Sequence, residues 1–268
     1  MTIGIAFKCR DGAVLCADTQ LTIPYPYSLK YSKTKIFGFT ELTSRPFFTY
    51  AGDVDFSLMC IHRIVGVLAS AKKRADVEST LSREAIKIHA EYFPLYPDER
   101  LTLQLLAVFR VPDGTWRVAK VTGPRVTPVM GTVECIGVGT PVAQCIIVPL
   151  LASLNLDTRE AARIGFYVLS QVKQFVEGCG GDTEMVTFRD RGGQFDYVPH
   201  LKESGLFFGE AFSAFQDALR PILLGYNAVE EDTPTFETQL REMVKKLKAF
   251  RADQIKRSKV GRLPWLRE

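Results

Sequence analysis

A threonine at position 2 can do chemistry that an internal threonine cannot. Once Met1 is cleaved, which the small threonine side chain permits, Thr2 carries both a hydroxyl nucleophile and a free α-amine able to take the hydroxyl proton. An α-amine titrates near ~7.7 to 8.0, and a neighbouring ammonium lowers that value by disfavouring a second positive charge. Lys35 is positioned in the chain to supply such an ammonium, and Asp18 to hold it. Taken singly, each has an ordinary explanation: Thr2 as the first residue of an edge strand, Asp18 as a strand end, Lys35 as a solvated strand start. Only their joint placement points to chemistry.

That placement depends on the first elements. Residues 2–9 and 13–18 favour strands, and Arg10-Asp11-Gly12 between them supplies an Asp-Gly turn, so a hairpin returns Asp18 to the neighbourhood of Thr2. Residues 21–32 read as a loop with two prolines. Residues 35–39 and 46–51 then read as a second short pair, with Lys35 at its start. Gly52-Asp53 reads as a strand-to-helix turn with Asp53 as cap for a helix over 54–74, followed by a second helix over 78–93.

Residues 101–111, 116–121 and, more weakly, 125–136 read as a second set of strands. Helices are expected over 141–154 and 157–176, the latter ended by Gly178-Cys-Gly-Gly181, with strands again over 183–188 and 194–198. Two antiparallel sheets, each followed by a helix pair, predict an α+β fold, a four-layer α/β/β/α sandwich. Beyond residue 201 the pattern is helical. Residues 207–224 are apolar, and within 235–259 Leu240, Met243, Val244, Leu247 and Phe250 form one stripe. The expected organisation is a domain over 1–200 and a helical extension with a basic tail over 201–268.

The run from Thr2 to Thr19, with Thr22, Lys35-Ile-Phe37 and Tyr50-Ala-Gly52, resembles the start of a proteasome β subunit, an N-terminal-nucleophile (Ntn) hydrolase. The resemblance spans roughly residues 2–198 and later rests on Gly137-Val-Gly-Thr140, the helix from Asp157, and Cys179-Gly-Gly181. It implies the four-layer sandwich, Thr2 as nucleophile, Asp18 and Lys35 as its support, and the Gly52 N–H as donor to the oxyanion. Thr140, Cys179 and Thr22 are secondary candidates. The chain departs from the pattern at Val138, where active members carry a serine in a Gly-Ser-Gly-Ser turn, and at Val176, where they carry an aspartate. Cys179 stands for a serine, Gln20 for a common arginine, and Glu177 and Asp182 are the acidic residues available nearby.

Composition excludes other classes. With 46% hydrophobic and 24% charged residues, the chain is neither disordered nor coiled-coil in character. A net charge of +4 without a basic motif in the body gives no nucleic-acid surface, and no apolar run is long enough for a membrane span. No charged and apolar leader is visible, so a cytoplasmic protein is expected. Six cysteines without CxxC pairs suggest neither disulfides nor zinc, His62, His89 and His200 are isolated, and neither GxGxxG nor a P-loop is present. No metal or organic cofactor is expected.

Three readings follow. The first is a threonine-type hydrolase, a peptidase acting on a peptide or other amide, assembled as a homo-oligomer with a ring as the arrangement the family implies. The second is an inactive proteasome-like subunit serving assembly or binding, motivated by Val138 and Val176. The third is a small-molecule amidase. The basic tail reads as a solvated helix face whose apolar stripe within 235–259 can pack on a neighbouring subunit or on the body of this one, and subunit contact is the arm that truncation tests. Truncation before Thr235 should therefore reduce assembly size in light scattering, and an unchanged size would remove that role.

Overall fold

The computed structural model describes residues 2–22, 29–70, 77–94, 103–151, 155–191 and 194–200, together with eight helical positions between 238 and 252. The chain divides into two compact units, Met1–Lys202 and Glu203–Glu268. In the second unit the described residues, Thr238, Arg241, Glu242, Val244, Lys245, Lys248, Ala249 and Ala252, are helical and exposed. The segment 207–224 and the other stripe residues lie outside the described set.

The first unit is α+β with antiparallel sheets. One five-stranded sheet has the order β10-β1-β2-β11-β12, built from β1 (Gly4–Cys9), β2 (Gly12–Asp18), β10 (Val133–Ile136), β11 (Thr183–Arg191) and β12 (Gln194–His200). The other has the order β5-β6-β7-β8-β9, from β5 (Ile36–Gly38), β6 (Phe47–Ala51), β7 (Gln104–Arg110), β8 (Trp116–Thr122) and β9 (Arg125–Pro128). The helices are α1 (Val54–Ser70), α2 (Val77–Tyr92), α3 (Thr140–Leu151) and α4 (Thr158–Phe175).

Strand alternation sorts the side chains into layers. Ala6, Ala13, Leu15, Val186 and Phe188 of the first sheet pack with Phe47, Leu106, Val108, Trp116 and Val118 of the second in one buried cluster. The opposite face of the second sheet, with Phe48, Tyr50, Leu105, Ala107 and Phe109, meets Cys60, Ile61, Ile64, Leu81, Ala85 and Ile88 of α1 and α2. The opposite face of the first sheet lies under α4, where a Cβ at Gly165 would stand 2.9 Å from Cys16 Sγ and 3.2 Å from the Phe7 ring. Burial on both faces explains why β2 reads as the continuous apolar run Gly-Ala-Val-Leu-Cys-Ala before Asp18. Small residues let the two sheets approach: a Cβ on Gly4 would lie 2.9 Å from Thr49 Cγ2.

The caps match the expected boundaries. Asp53 accepts from the Phe56 N–H at 2.8 Å at the start of α1, and Asp157 and Glu160 form a capping box at the start of α4.

Two expectations are corrected. Residues 125–136 are not one strand of the second sheet. They form β9, which pairs with β8, and β10, which crosses to pair with β1, Gly4 opposite Ile136. The crossing is fixed where Lys8 N–H donates to the Thr132 carbonyl at 2.8 Å, immediately after the exposed Met130 and Gly131. Residues 21–32 are not wholly loop either: β3 (Gln20–Thr22) and β4 (Lys30–Ser32) pair as a small ladder. Three-residue strands are too short for a period-2 pattern to register.

Phe188 sits at the centre of the inter-sheet cluster, its ring 4.7 Å from Phe47 and 4.9 Å from Trp116 between centroids. Phe188→Ala should cost about 3 to 5 kcal/mol in chemical denaturation, the usual scale for emptying a buried phenylalanine site. A loss below about 1 kcal/mol would contradict this account of the core.

Candidate functional site

The β1–β2 hairpin does what its Asp-Gly turn suggests. With Gly4 opposite Ala17, the Ile3 carbonyl accepts from Asp18 N–H at 3.2 Å, so the end of β2 lies beside residue 2. Thr2 Oγ1 donates to Asp18 Oδ1 and accepts from Lys35 Nζ. Lys35 Nζ also donates to Asp18 Oδ1 at 2.8 Å and to the Gln20 carbonyl at 2.6 Å. All three ammonium donors are used. The side chains of Asp18 and Lys35 are both fully buried, and Thr2 is only 3% exposed.

Asp18 is held by more than its cation. Ile3 N–H donates to Oδ1 at 3.0 Å and Gly180 N–H to Oδ2 at 2.9 Å, so with Thr2 and Lys35 it accepts from four donors. Lys35 is fixed from the backbone side as well. The Glu184 carboxylate accepts from its N–H at 2.7 Å and from Ile36 N–H at 3.2 Å. Burial pushes the Lys35 amine below its ordinary value, and Asp18 only partly offsets the shift. The neutral amine is thereby nearer to hand than in an exposed lysine.

Around Thr2 the turn before α3 closes in. Gly139 N–H points at the Thr2 carbonyl, 3.4 Å away. Gly137 has a φ of +94°, and a Cβ there would lie 2.2 Å from the Thr2 carbonyl oxygen and 3.2 Å from Ala51 Cβ. This close approach requires glycine and brings the end of β6 up to Thr2. Gly52 is the next residue, exposed, with φ of +111°. Gln104, opposite Ala51 in the sheet, accepts from Gly137 N–H at 3.2 Å and ties the two sheet ends together.

The structure thus joins Thr2, Asp18 and Lys35 directly and sets Gly52 one residue beyond the Ala51–Gly137–Thr2 contact. The secondary candidates differ. Cys179 is buried with Sγ 3.1 Å from where a Gly139 Cβ would be, and burial with the nearby Asp18 pushes its thiol up to about 12. Thr140 Oγ1 is buried without a hydrogen-bond partner among the described residues. Thr22 accepts from Gln20 Nε2 at 3.4 Å, outside the Thr2 cluster. Val138 is 45% exposed between the two glycines.

Sequence reasoning missed Glu184 and Gln104, and the part Gly180 takes in holding Asp18. Gly180 is visible only as part of Cys179-Gly-Gly181, and the other two carry no local signal. Among the described residues no group of three or more His, Cys, Asp and Glu side chains is arranged to hold a metal ion, and no helix is long and apolar enough to cross a membrane.

No protein-family model and no curated protein sequence matches the chain. Solved structures of Anbu do resemble it. Anbu of Yersinia bercovieri, described as an ancestral β-subunit, aligns with a TM-score of 0.67 at 9% identity over 83% of this chain and 96% of that one. The Anbu complex of Pseudomonas aeruginosa, solved as a helical assembly, gives 0.68 at 13% identity over 83% and 95%. Anbu of Hyphomicrobium sp. strain MC1 gives 0.64 at 15% identity over 83% and 97%. At these identities the likeness shows a shared fold, one of proteasome-like type.

Replacing Lys35 leaves the Asp18 carboxylate buried without its cation. Lys35→Met should destabilise by about 3 to 5 kcal/mol near neutral pH. The folded-state amine titrates below 10.5, the ordinary value. As pH rises through that window the unfolded chain holds a proton that the folded chain has lost, so stability from this group rises. Urea midpoints should show the gap between wild type and Lys35→Met widening as pH approaches 10.5, whereas a flat or narrowing gap would contradict the lowered amine.

Proposed function

We propose that the chain is a threonine-type Ntn hydrolase that cleaves amide bonds with Thr2 once Met1 has been removed, a proteasome-like peptidase. The observation that carries the reading is the Thr2 hydroxyl held between the buried Asp18 carboxylate and the buried Lys35 amine. In this account the sheets and helix pairs constitute the four-layer α/β/β/α sandwich, residues 1–200 are the hydrolase domain, and 201–268 are a helical extension. Assembly into a homo-oligomer is supported by the Pseudomonas aeruginosa Anbu complex, which forms a helical assembly.

The chemistry runs in two halves. Thr2 Oγ attacks the amide carbonyl carbon while its proton passes to the Thr2 α-amine, and the resulting oxyanion is met by the Gly52 N–H. Collapse expels the amine product, which takes the proton, and leaves an ester on Thr2. Water, deprotonated by the same α-amine, then hydrolyses the ester and frees the threonine. Lys35 keeps the α-amine neutral near physiological pH, and Asp18 orients Lys35.

A second reading, a non-catalytic subunit of the same fold, is favoured by one feature: the turn over Thr2 presents Val138 outward, with no hydroxyl at that position. The two separate on a single preparation. The hydrolase reading expects an intact mass lacking Met1 and a covalent adduct with a threonine-directed peptide β-lactone that disappears in Thr2→Ala. Retained Met1 with no adduct would establish the non-catalytic subunit instead.

A further inference from the structure

Lys173 has no place in the chemistry above, yet it grips the loop that grips Asp18. It lies in the last turn of α4, and its Nζ donates to the Gly181 carbonyl at 2.9 Å and to Thr183 Oγ1 at 2.7 Å. One residue before that carbonyl, Gly180 N–H donates to Asp18 Oδ2 at 2.9 Å. The loop has no side chain of its own at 180 or 181 with which to anchor. Gly181, at a φ of +69° and against the Gln20 backbone, has no room for one, whereas at Gly180 only the end of the Gln20 side chain stands in the way. A Cβ at Gly180 would lie 2.3 Å from Gln20 Oε1, and one at Gly181 2.6 Å from Thr19 Oγ1.

The loop is therefore positioned from outside. On one side Gln20 N–H donates to the Gly180 carbonyl at 3.1 Å, Thr19 N–H to the Asp182 carbonyl at 3.0 Å, and Asp182 N–H to Thr19 Oγ1 at 2.7 Å. On the other side stands the Lys173 ammonium. The ionisable groups around it are Asp18 on β2, Asp182 and Cys179 in the loop, and Lys35 before β5. Burial, reinforced by Lys35, brings its amine down to about 8 against the opposing pull of Asp18 and Asp182.

We infer that Lys173 is a positioning residue for the Thr2 centre. Its ammonium holds the Gly180–Gly181 peptide so that the Gly180 N–H meets Asp18, and it places a second positive charge near the carboxylate that carries Lys35. The effect on reactivity rests on the hydrolase reading, whereas the effect on the loop does not.

The test compares the full chain beginning at Thr2 with Lys173→Met and Lys173→Arg, with folding checked by circular dichroism. Should Lys173→Met not fold, Lys173→Gln serves the same comparison. Two readouts are needed: amide hydrogen exchange at Gly180, and the rate of Thr2 labelling by a peptide β-lactone across about pH 6 to 9, which brackets the α-amine. Lys173→Met should speed Gly180 exchange and slow labelling, each by roughly tenfold, the scale of one charge-assisted hydrogen bond. It should also move the labelling midpoint to higher pH, because loss of the nearby charge lets Lys35 and the α-amine keep their protons longer. Lys173→Arg should restore the midpoint. Unchanged Gly180 exchange, or wild-type labelling matched in rate and midpoint by Lys173→Met, would overturn the inference. A wild-type chain that never labels would end the hydrolase reading, and Gly180 exchange alone would then decide the role of Lys173.

Discussion

The site depends on one buried ion pair. Taking the Asp18 and Lys35 side chains wholly out of water is costly, and it is tolerated only because every donor and acceptor finds a partner. Lys35 divides its three protons among Thr2, Asp18 and the Gln20 carbonyl, while Asp18 collects Thr2, Lys35, Ile3 N–H and Gly180 N–H. Removing any partner leaves a buried charge short of solvation, which makes the cluster a geometric constraint on the elements that bring these groups together.

Those elements come from distant parts of the chain. The β1–β2 hairpin supplies Thr2, Ile3 and Asp18, the segment entering β5 supplies Lys35, β11 supplies Glu184, and the loop after α4 supplies Gly180. The two sheets meet at this end through Gly137, squeezed between the Thr2 carbonyl and Ala51, and through Gln104, which accepts from Gly137 N–H. Gly137 matters because its backbone passes so close to the Thr2 carbonyl that no side chain fits, and Gly139 because Val172, Ile3 and Cys179 fill the space a Cβ would need. The packed inter-sheet cluster around Phe47, Trp116 and Phe188 holds this approach in place.

Legibility in the sequence followed the range of the interaction. Thr2 and Asp18 could be paired on paper because an Asp-Gly turn sets the register of a hairpin, and the Asp53 and Asp157 caps could be read because capping is local. Lys35 was reachable because it opens the strand after the loop, although Glu184, which fixes its backbone from 149 residues away, was not. Gly180 escaped for the same reason: its bond to Asp18 depends on β11 pairing beside β2, a long-range register with no local signature, whereas Lys173 reaches only across the turn after α4 to Gly181 and Thr183. The segment 125–136, read as one weaker strand segment, divides between two sheets, because pairing partners and not propensity decide where a short strand goes. The resemblance to proteasome β subunits pointed to Gly52 and to the Gly137–Thr140 turn, but the approach of that turn to the Thr2 carbonyl is visible only in the folded chain.

The central claim is that Thr2, Asp18 and Lys35 act as one hydrogen-bonded unit around a free α-amine. A crystal structure of the chain beginning at Thr2 tests this most directly. The account predicts Lys35 Nζ within hydrogen-bond reach of Thr2 Oγ and Asp18, with the α-amine turned into the same cluster. A Lys35 side chain directed away from Thr2, or an α-amine facing away from its own hydroxyl, would contradict it.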